Sequence, residues 1–226
     1  FGKGGSGNLI MTKVPFQQLR MLKLTRLTER PIIFGKFLVE NNGSLLVGSA
    51  HLTAIQSKHA IRREELNRVY EFLDTSNFCD CDHTLILGDL NFHREDENST
   101  IRSDFEDLWM AMYDLKENPG YTWDSHANPL IEQRFPLGFE TRRMRLDRIL
   151  YKSKTTIPRL NVKTLQIFAE KPLYEPDRPH PRMNMGIFKA FVTQLADLFG
   201  RSPFRRKEDY LFCSDHFGLT AQFEGV

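Results

Sequence analysis

Short runs rich in β-branched and aromatic residues alternate along the chain with segments whose apolar residues return every three or four positions, the pattern of a mixed α/β fold. Strands are expected at Leu9–Thr12, Ile32–Glu40, Ser44–Ala50, Thr84–Leu87, Arg145–Tyr151 and Leu219–Phe223. The turn sequence Asn41-Asn42-Gly43-Ser44 between the second and third of these predicts a hairpin. Leu66, Val69, Tyr70 and Leu73 recur at helical spacing after His59, and Phe105, Leu108, Trp109 and Met112 repeat it. The texture changes at residues 171–207. A Pro-rich stretch, "KPLYEPDRPHPR", gives way to helical spacing from Met185 to Phe199, with a stripe of Ile187, Phe191, Leu195 and Leu198, and then to a basic "GRSPFRRK". This segment reads as an insertion carrying eight basic residues against three acidic ones.

Composition narrows the picture. With 226 residues, 40% of them hydrophobic and 12% aromatic, one sizeable core is attainable, so a single domain spanning 1–226 is the expectation. The net charge of +2 gives no overall basic field, so a polyanionic partner must be met locally, and the basic insertion is the place to expect phosphate contacts. Three cysteines, Cys79, Cys81 and Cys213, cannot all pair with one another, and a chain of this length needs no staples. A reducing, intracellular compartment, nuclear or cytoplasmic, is therefore expected, with the sequons at Asn42 and Asn98 unused. No apolar run approaches the ~18 residues needed to span a bilayer, so no membrane association is expected.

The candidate chemistry lies where the predicted strands end. "GSAHL" leaves His51 at one such end, and "LILGDLN" leaves Asp89 and Asn91 on either side of Leu90. "RLDRIL" carries Asp147 between Arg145 and Arg148, and "CSDHFGL" sets Asp215 beside His216. Each has an ordinary structural explanation. An Asp or Asn after a strand most often bonds its own turn backbone, and an Asp between arginines can be a surface ion pair. Taken in order, the set is much harder to obtain by accident. At one rim of a sheet sandwich these carboxylates, amide and imidazoles would converge in one cleft. Cys79, Cys81 and His83 form a weaker group, because Cys-x-Cys lacks the two-residue gap of a zinc knuckle and no second pair follows.

On these motifs the sequence resembles the endonuclease/exonuclease/phosphatase superfamily, over nearly the whole chain except residues 171–207. Within it, "SAHLTAIQSKHAIRREELNRV", "LILGDLN", "GYTWDSH", "MRLDRIL" and "CSDHFGL" look most like the 5′-tyrosyl-DNA phosphodiesterases. The resemblance implies a four-layer, DNase I-like α/β sandwich and Mg²⁺-dependent hydrolysis of phosphate esters, with Mn²⁺ as a substitute ion. Its expected substrates are nucleic-acid ends, 5′-phosphotyrosyl DNA among them, and its setting is DNA repair. It gives Asp89 the attacking water, Asn91 the water and a phosphate oxygen, and His216 a hydrogen bond to the phosphoryl oxygen, with Asp147 holding the His216 ring. Asp215 would be an outer metal ligand. His51, Trp123 and Arg145 would meet the substrate.

The sequence also departs from that pattern. The superfamily places an Asn on its first strand and a Glu, the principal metal ligand, on an early strand, both ahead of the region matched by "NLIMTK". Neither is here, and Phe1 stands where an initiating Met would be. The expectation is a fold truncated at its N-terminus, with an incomplete metal site and little or no activity of its own. The competing enzymatic readings are an RNA 3′-exonuclease or deadenylase, an apurinic-site endonuclease, an inositol-phosphate phosphatase and a secreted sphingomyelinase. The non-enzymatic one is an inactive adaptor.

Overall fold

In the computed structural model the described residues are 7–24, 30–39, 43–128, 130–131, 141–154, 156–171 and 214–224. They group into two compact units. One comprises Phe1–Thr122, Met144–Ile167 and Leu219–Val226, the other Trp123–Arg143 and Phe168–Gly218. Nearly all of the expected insertion, its Met185–Phe199 helix and Cys213 fall at 172–213, outside the described residues.

The first unit is built on a six-stranded mixed sheet. In chain order its strands are β1 (Gln18–Leu22), β2 (Ile32–Val39), β3 (Gly43–His51), β4 (His83–Asp89), β5 (Glu106–Asp107) and, after β6 (Trp123–Asp124) and β7 (Arg143–Met144), β8 (Asp147–Ser153). Their spatial order is β1-β2-β3-β4-β8-β5. The expected hairpin is present: β2 and β3 are antiparallel, with Leu38 opposite Ser44 and Val39 opposite Gly43. Gly43 has φ 77°, the left-handed conformation that favours glycine at a turn. β3 and β4 are parallel, so a crossover must join them. Helix α1 (His59–Thr75) supplies it.

Alternation along the central strands sends side chains to two cores. Phe34, Leu46, Ile86 and Leu150 face α1, whose Leu66, Val69 and Tyr70 close that layer. Leu85, Ile149 and Tyr151 point the other way, with Leu45 and Leu87 beside them. They pack against β9 (Asn161–Phe168) and β10 (Gly218–Glu224), which form a two-stranded sheet, and against the short helix α2 (Leu108–Met112). Each fully buried Leu or Ile adds roughly 1.5–3 kcal/mol, so two such cores hold β4 and β8 rigidly at the centre.

The structure corrects several sequence expectations. Leu9–Thr12 forms no strand, and Leu9 and Met11 are exposed. The first strand is instead β1, whose sequence QLRML consists of good helix formers held extended by pairing with β2. The expected helix from Phe105 starts only at Leu108, because the Asp107 side chain accepts from the backbone N–H groups of Trp109 and Met110 and caps it there. Strand β9 was not expected at all. Its inward set changes phase between Thr164 and Leu165, which spoils the alternation a strand reading relies on.

Gly88 fixes the approach to the last residue of β4. Its φ is +129°, and a Cβ built on it would lie 2.1 Å from the Ala50 carbonyl oxygen on β3. Gly88→Ala is therefore expected to cost about 1–3 kcal/mol through strain in the β3–β4 ladder. The urea midpoint measures it, and an unchanged midpoint would refute this account.

Candidate active site

Strand register assembles the first group of site residues. The β3–β4 ladder ends with His51 opposite Asp89, and the β4–β8 ladder ends with Asp89 opposite Asp147. Three neighbouring strands thus bring an imidazole and two carboxylates into one row at one edge of the sheet. His51 Nε2 lies 3.5 Å from Asp89 Oδ2, with the side chains one-third and one-seventh exposed. Arg30 adds a charge that no motif singles out. Its Nη1 lies 2.5 Å from His51 Nε2 and 3.0 Å from Nδ1. The Arg30 guanidinium, 21 positions before His51, thus brings a positive charge against the imidazole.

The loop after β4 shows why Asp89 and Asn91 flank an apolar residue. Leu90 is fully buried, and its N–H donates to the Leu146 carbonyl, anchoring the loop to the residue before Asp147. Asp89 Oδ1 accepts the Asn91 N–H at 2.8 Å, the ordinary turn bond for an Asp in this position. Its other oxygen is the one near His51, so a single carboxylate serves both turn and site. Asn91 has φ 53°, a left-handed conformation that Asn tolerates better than most residues. Its Nδ2 donates to the Leu52 carbonyl at 3.0 Å, and the Leu52 N–H donates to the Asp89 carbonyl. The loops after β3 and β4 are therefore laced together. Thr122, fully buried, supports Asp147 in the same way: its Oγ1 accepts the N–H groups of Leu146 and Asp147 at 3.1 and 3.0 Å.

Arg145 is the correction in this group. Expected to reach a substrate, its side chain is only 6% exposed and donates to Asp107 Oδ2 at 2.6 Å. Arg148 donates to the same oxygen at 2.7 Å and to Asn98 Oδ1 at 3.1 Å. The arginines flanking Asp147 are thus turned into the protein toward a shared carboxylate. Burial alone would raise the Asp107 carboxyl, but Arg148 and Arg145 outweigh it and hold the group below the usual carboxylate range. Burial, together with Arg145, pulls Arg148 down to about 10.

The second unit holds the other expected residues. The Trp123 and His216 rings meet edge to face, with centroids 5.1 Å apart and an interplanar angle of 77°. Trp123 is buried, and His216 and its neighbour Asp215 are half-buried. The His216 N–H donates to Ser214 Oγ at 3.1 Å.

Cys79 and Cys81 are buried free thiols, and burial pushes Cys79 up to about 11, far from the thiolate that binds metal. His83 Nδ1 lies 3.0 Å from the Tyr151 hydroxyl, inside the second core. Among the described residues no group of three or more His, Cys, Asp or Glu side chains could hold a metal ion. The described donors therefore do not amount to a Mg²⁺ site on their own.

Comparison with known proteins follows the same line. None of the curated proteins matches the sequence. Among solved structures, a D. rerio TDP2 humanized by 14 mutations matches with a TM-score of 0.62 at 18% identity, over 94% of this chain and 68% of that one. D. rerio TDP2 complexed with a single-strand DNA product matches at 0.62 and 17%, over 94% and 69%. A beta toxin of Staphylococcus aureus matches at 0.57 and 16%, over 94% and 66%. At such identities the likeness is one of fold, which is the DNase I-like α/β fold. The profile of the Endonuclease/Exonuclease/phosphatase family matches residues 1–216. That span takes in every candidate residue at a strand end described above, Asp215 and His216 included, and the chain belongs to this family.

Proposed function

We propose that this protein is a Mg²⁺-dependent phosphodiesterase that hydrolyses phosphate esters at nucleic-acid ends, 5′-phosphotyrosyl DNA ends foremost. The observation that carries the reading is the row His51, Asp89, Asp147 set by strand register, with Asn91 laced into the adjoining loop. The family is one of nucleases and phosphatases, hydrolases of phosphate esters, and one fold neighbour is a TDP2 held with single-strand DNA product.

In this reading Asp89 accepts a proton from the attacking water as the water oxygen bonds to phosphorus. The P–O ester bond breaks with its electron pair going to the departing oxygen, which takes a proton from solvent. His216 donates a hydrogen bond to the phosphoryl oxygen as charge builds on it, which takes a ring nitrogen bearing a proton. Trp123, expected to meet the substrate, is buried with its ring against His216, so in this reading it backs the imidazole and presents no face to a base or tyrosyl ring. The described carboxylates do not complete a site for the ion. In the proposal Asp215 would contribute to holding Mg²⁺, or Mn²⁺ in its place.

The test is a substrate panel of 5′-phosphotyrosyl DNA, poly(A) and inositol phosphates, assayed with Mg²⁺ and with chelator, on the protein expressed from its whole reading frame. Phosphotyrosyl DNA is expected to turn over fastest, and chelation to abolish turnover. Preference for either other substrate would move the assignment within the family. Assayed alone, the 226-residue chain is expected to show little or no hydrolysis even with Mg²⁺, since among the described residues no cluster of three or more His, Cys, Asp or Glu side chains is placed to take a hard cation from bulk water. Robust Mg²⁺-dependent turnover by that chain would show that the metal ligand has been assigned wrongly.

A further inference from the structure

Asn128 is a fully buried polar side chain to which none of the roles above gives a task. It sits in the second unit at the end of the segment Trp123-Asp124-Ser125-His126-Ala127-Asn128. Asp124 folds that segment back on itself. Its Oδ1 accepts the N–H groups of His126 and Ala127 at 2.9 and 3.2 Å, and its carbonyl accepts that of Asn128 at 2.8 Å. Its Oδ2 is taken by Arg143, whose Nε and Nη2 lie 2.9 and 2.8 Å away. A buried carboxylate paired with a forked guanidinium makes this a stiff turn.

Asn128 projects from that turn with its amide fully directed. Oδ1 accepts the Leu130 N–H at 3.1 Å, and Nδ2 donates to the Ser214 carbonyl at 2.8 Å, across a sequence separation of 86 residues. Ser214 is the residue whose Oγ accepts the His216 N–H. The same turn carries Trp123, whose ring meets His216 edge to face. The backbone just before His216 and the imidazole itself are thus both held from one segment, by an amide and by an indole.

We infer that Asn128 is a positioning residue for His216, fixing the Ser214-Asp215-His216 turn so that the imidazole rests against Trp123. Losing the Nδ2–H bond would leave the Ser214 carbonyl without this donor and free the turn to shift, carrying the ring off the indole edge. The placement stands on the geometry of the second unit. Its catalytic consequence rests on the role proposed for His216, where a misplacement of about 1 Å can cost up to ~100-fold in rate.

The experiment is histidine-selective NMR on the 226-residue chain, comparing wild type with Asn128→Asp, which keeps the shape of the amide but turns its donor into an acceptor. In wild type the His216 ring protons are expected to be displaced from random-coil positions by the Trp123 ring current, a displacement that Trp123→Leu removes. Asn128→Asp is expected to abolish that displacement while the signal of His83, in the core of the first unit, stays in place. Asn128→Ser, too short to reach Ser214, should do the same without adding a charge, and serves if the aspartate unfolds the chain. Unmoved His216 signals in either folded variant would overturn the inference.

A double-mutant cycle on the whole protein then separates this inference from the functional reading. Asn128→Asp should lower kcat about 10–100-fold with KM little changed, and add nothing in a His216→Ala background. A full additional loss in that background would mean that Asn128 does not act through His216. A His216→Ala enzyme with the wild-type rate would sink the proposed role of His216 while leaving the NMR result intact.

Discussion

Asp89→Asn is expected to lower kcat on a phosphodiester substrate at least ~100-fold and to leave KM within about twofold. The substitution is chosen for what it preserves. An amide oxygen at this position still accepts the Asn91 N–H, and the backbone bond from Leu52 is untouched, so the turn and the β3–β4 ladder survive. What disappears is the anionic oxygen near His51, the only part of the side chain that can take a proton from water. A loss confined to kcat is the signature of a group that acts on the transition state rather than on binding. If kcat stays near wild type while the melting temperature falls, Asp89 is a turn residue and nothing more.

The largest expected effect on stability comes from the buried carboxylate of Asp107 on β5. Asp107→Asn would leave Arg145 and Arg148 charged, buried and without their shared counter-ion, at a cost of about 3–5 kcal/mol. Lys at 148 should not restore what Arg gives there, since the native guanidinium reaches Asp107, Asn98 and the Arg145 carbonyl at once. The pH dependence follows from the direction in which Asp107 is held. Its folded pKa lies below the ordinary 3.8, so its contribution is complete above that value and is lost as pH falls through the folded pKa. Urea midpoints at neutral pH and near pH 3 should therefore fall steeply for the wild type and less steeply for Asp107→Asn. Parallel acid limbs for the two proteins would show that the carboxylate does not carry the charge balance.

The residues of the candidate site were legible because polar groups at the ends of apolar strands stand out against their surroundings. Asp89 and Asn91 are separated by a Leu that can only point inward, and His51 follows a run that can only be a strand. What could not be read was register. Nothing local says that β3 runs parallel to β4 or that β8 runs against it, and those two facts put His51, Asp89 and Asp147 in one row. Arg145 was misread for a related reason. Arg-x-Asp-Arg looks the same whether its arginines face water or the interior, and the deciding partner, Asp107, lies 38 residues away. Strand β1 failed the local test outright, since Gln, Leu, Arg and Met favour helix and only the edge of β2 makes them extended.

The central position of β4 has a consequence during synthesis. One side of β4 is covered early, by β3, made before it and brought alongside by α1. The other side waits for β8, which emerges only after β5, α2, β6 and β7 have left the ribosome. Until then HTLILGD shows an unpaired row of backbone donors and acceptors beside three apolar side chains, the kind of edge onto which another nascent chain can add. Polypeptides ending before Asp147 should accordingly be chaperone clients or aggregate, and pairing with β8 is the event that ends the hazard.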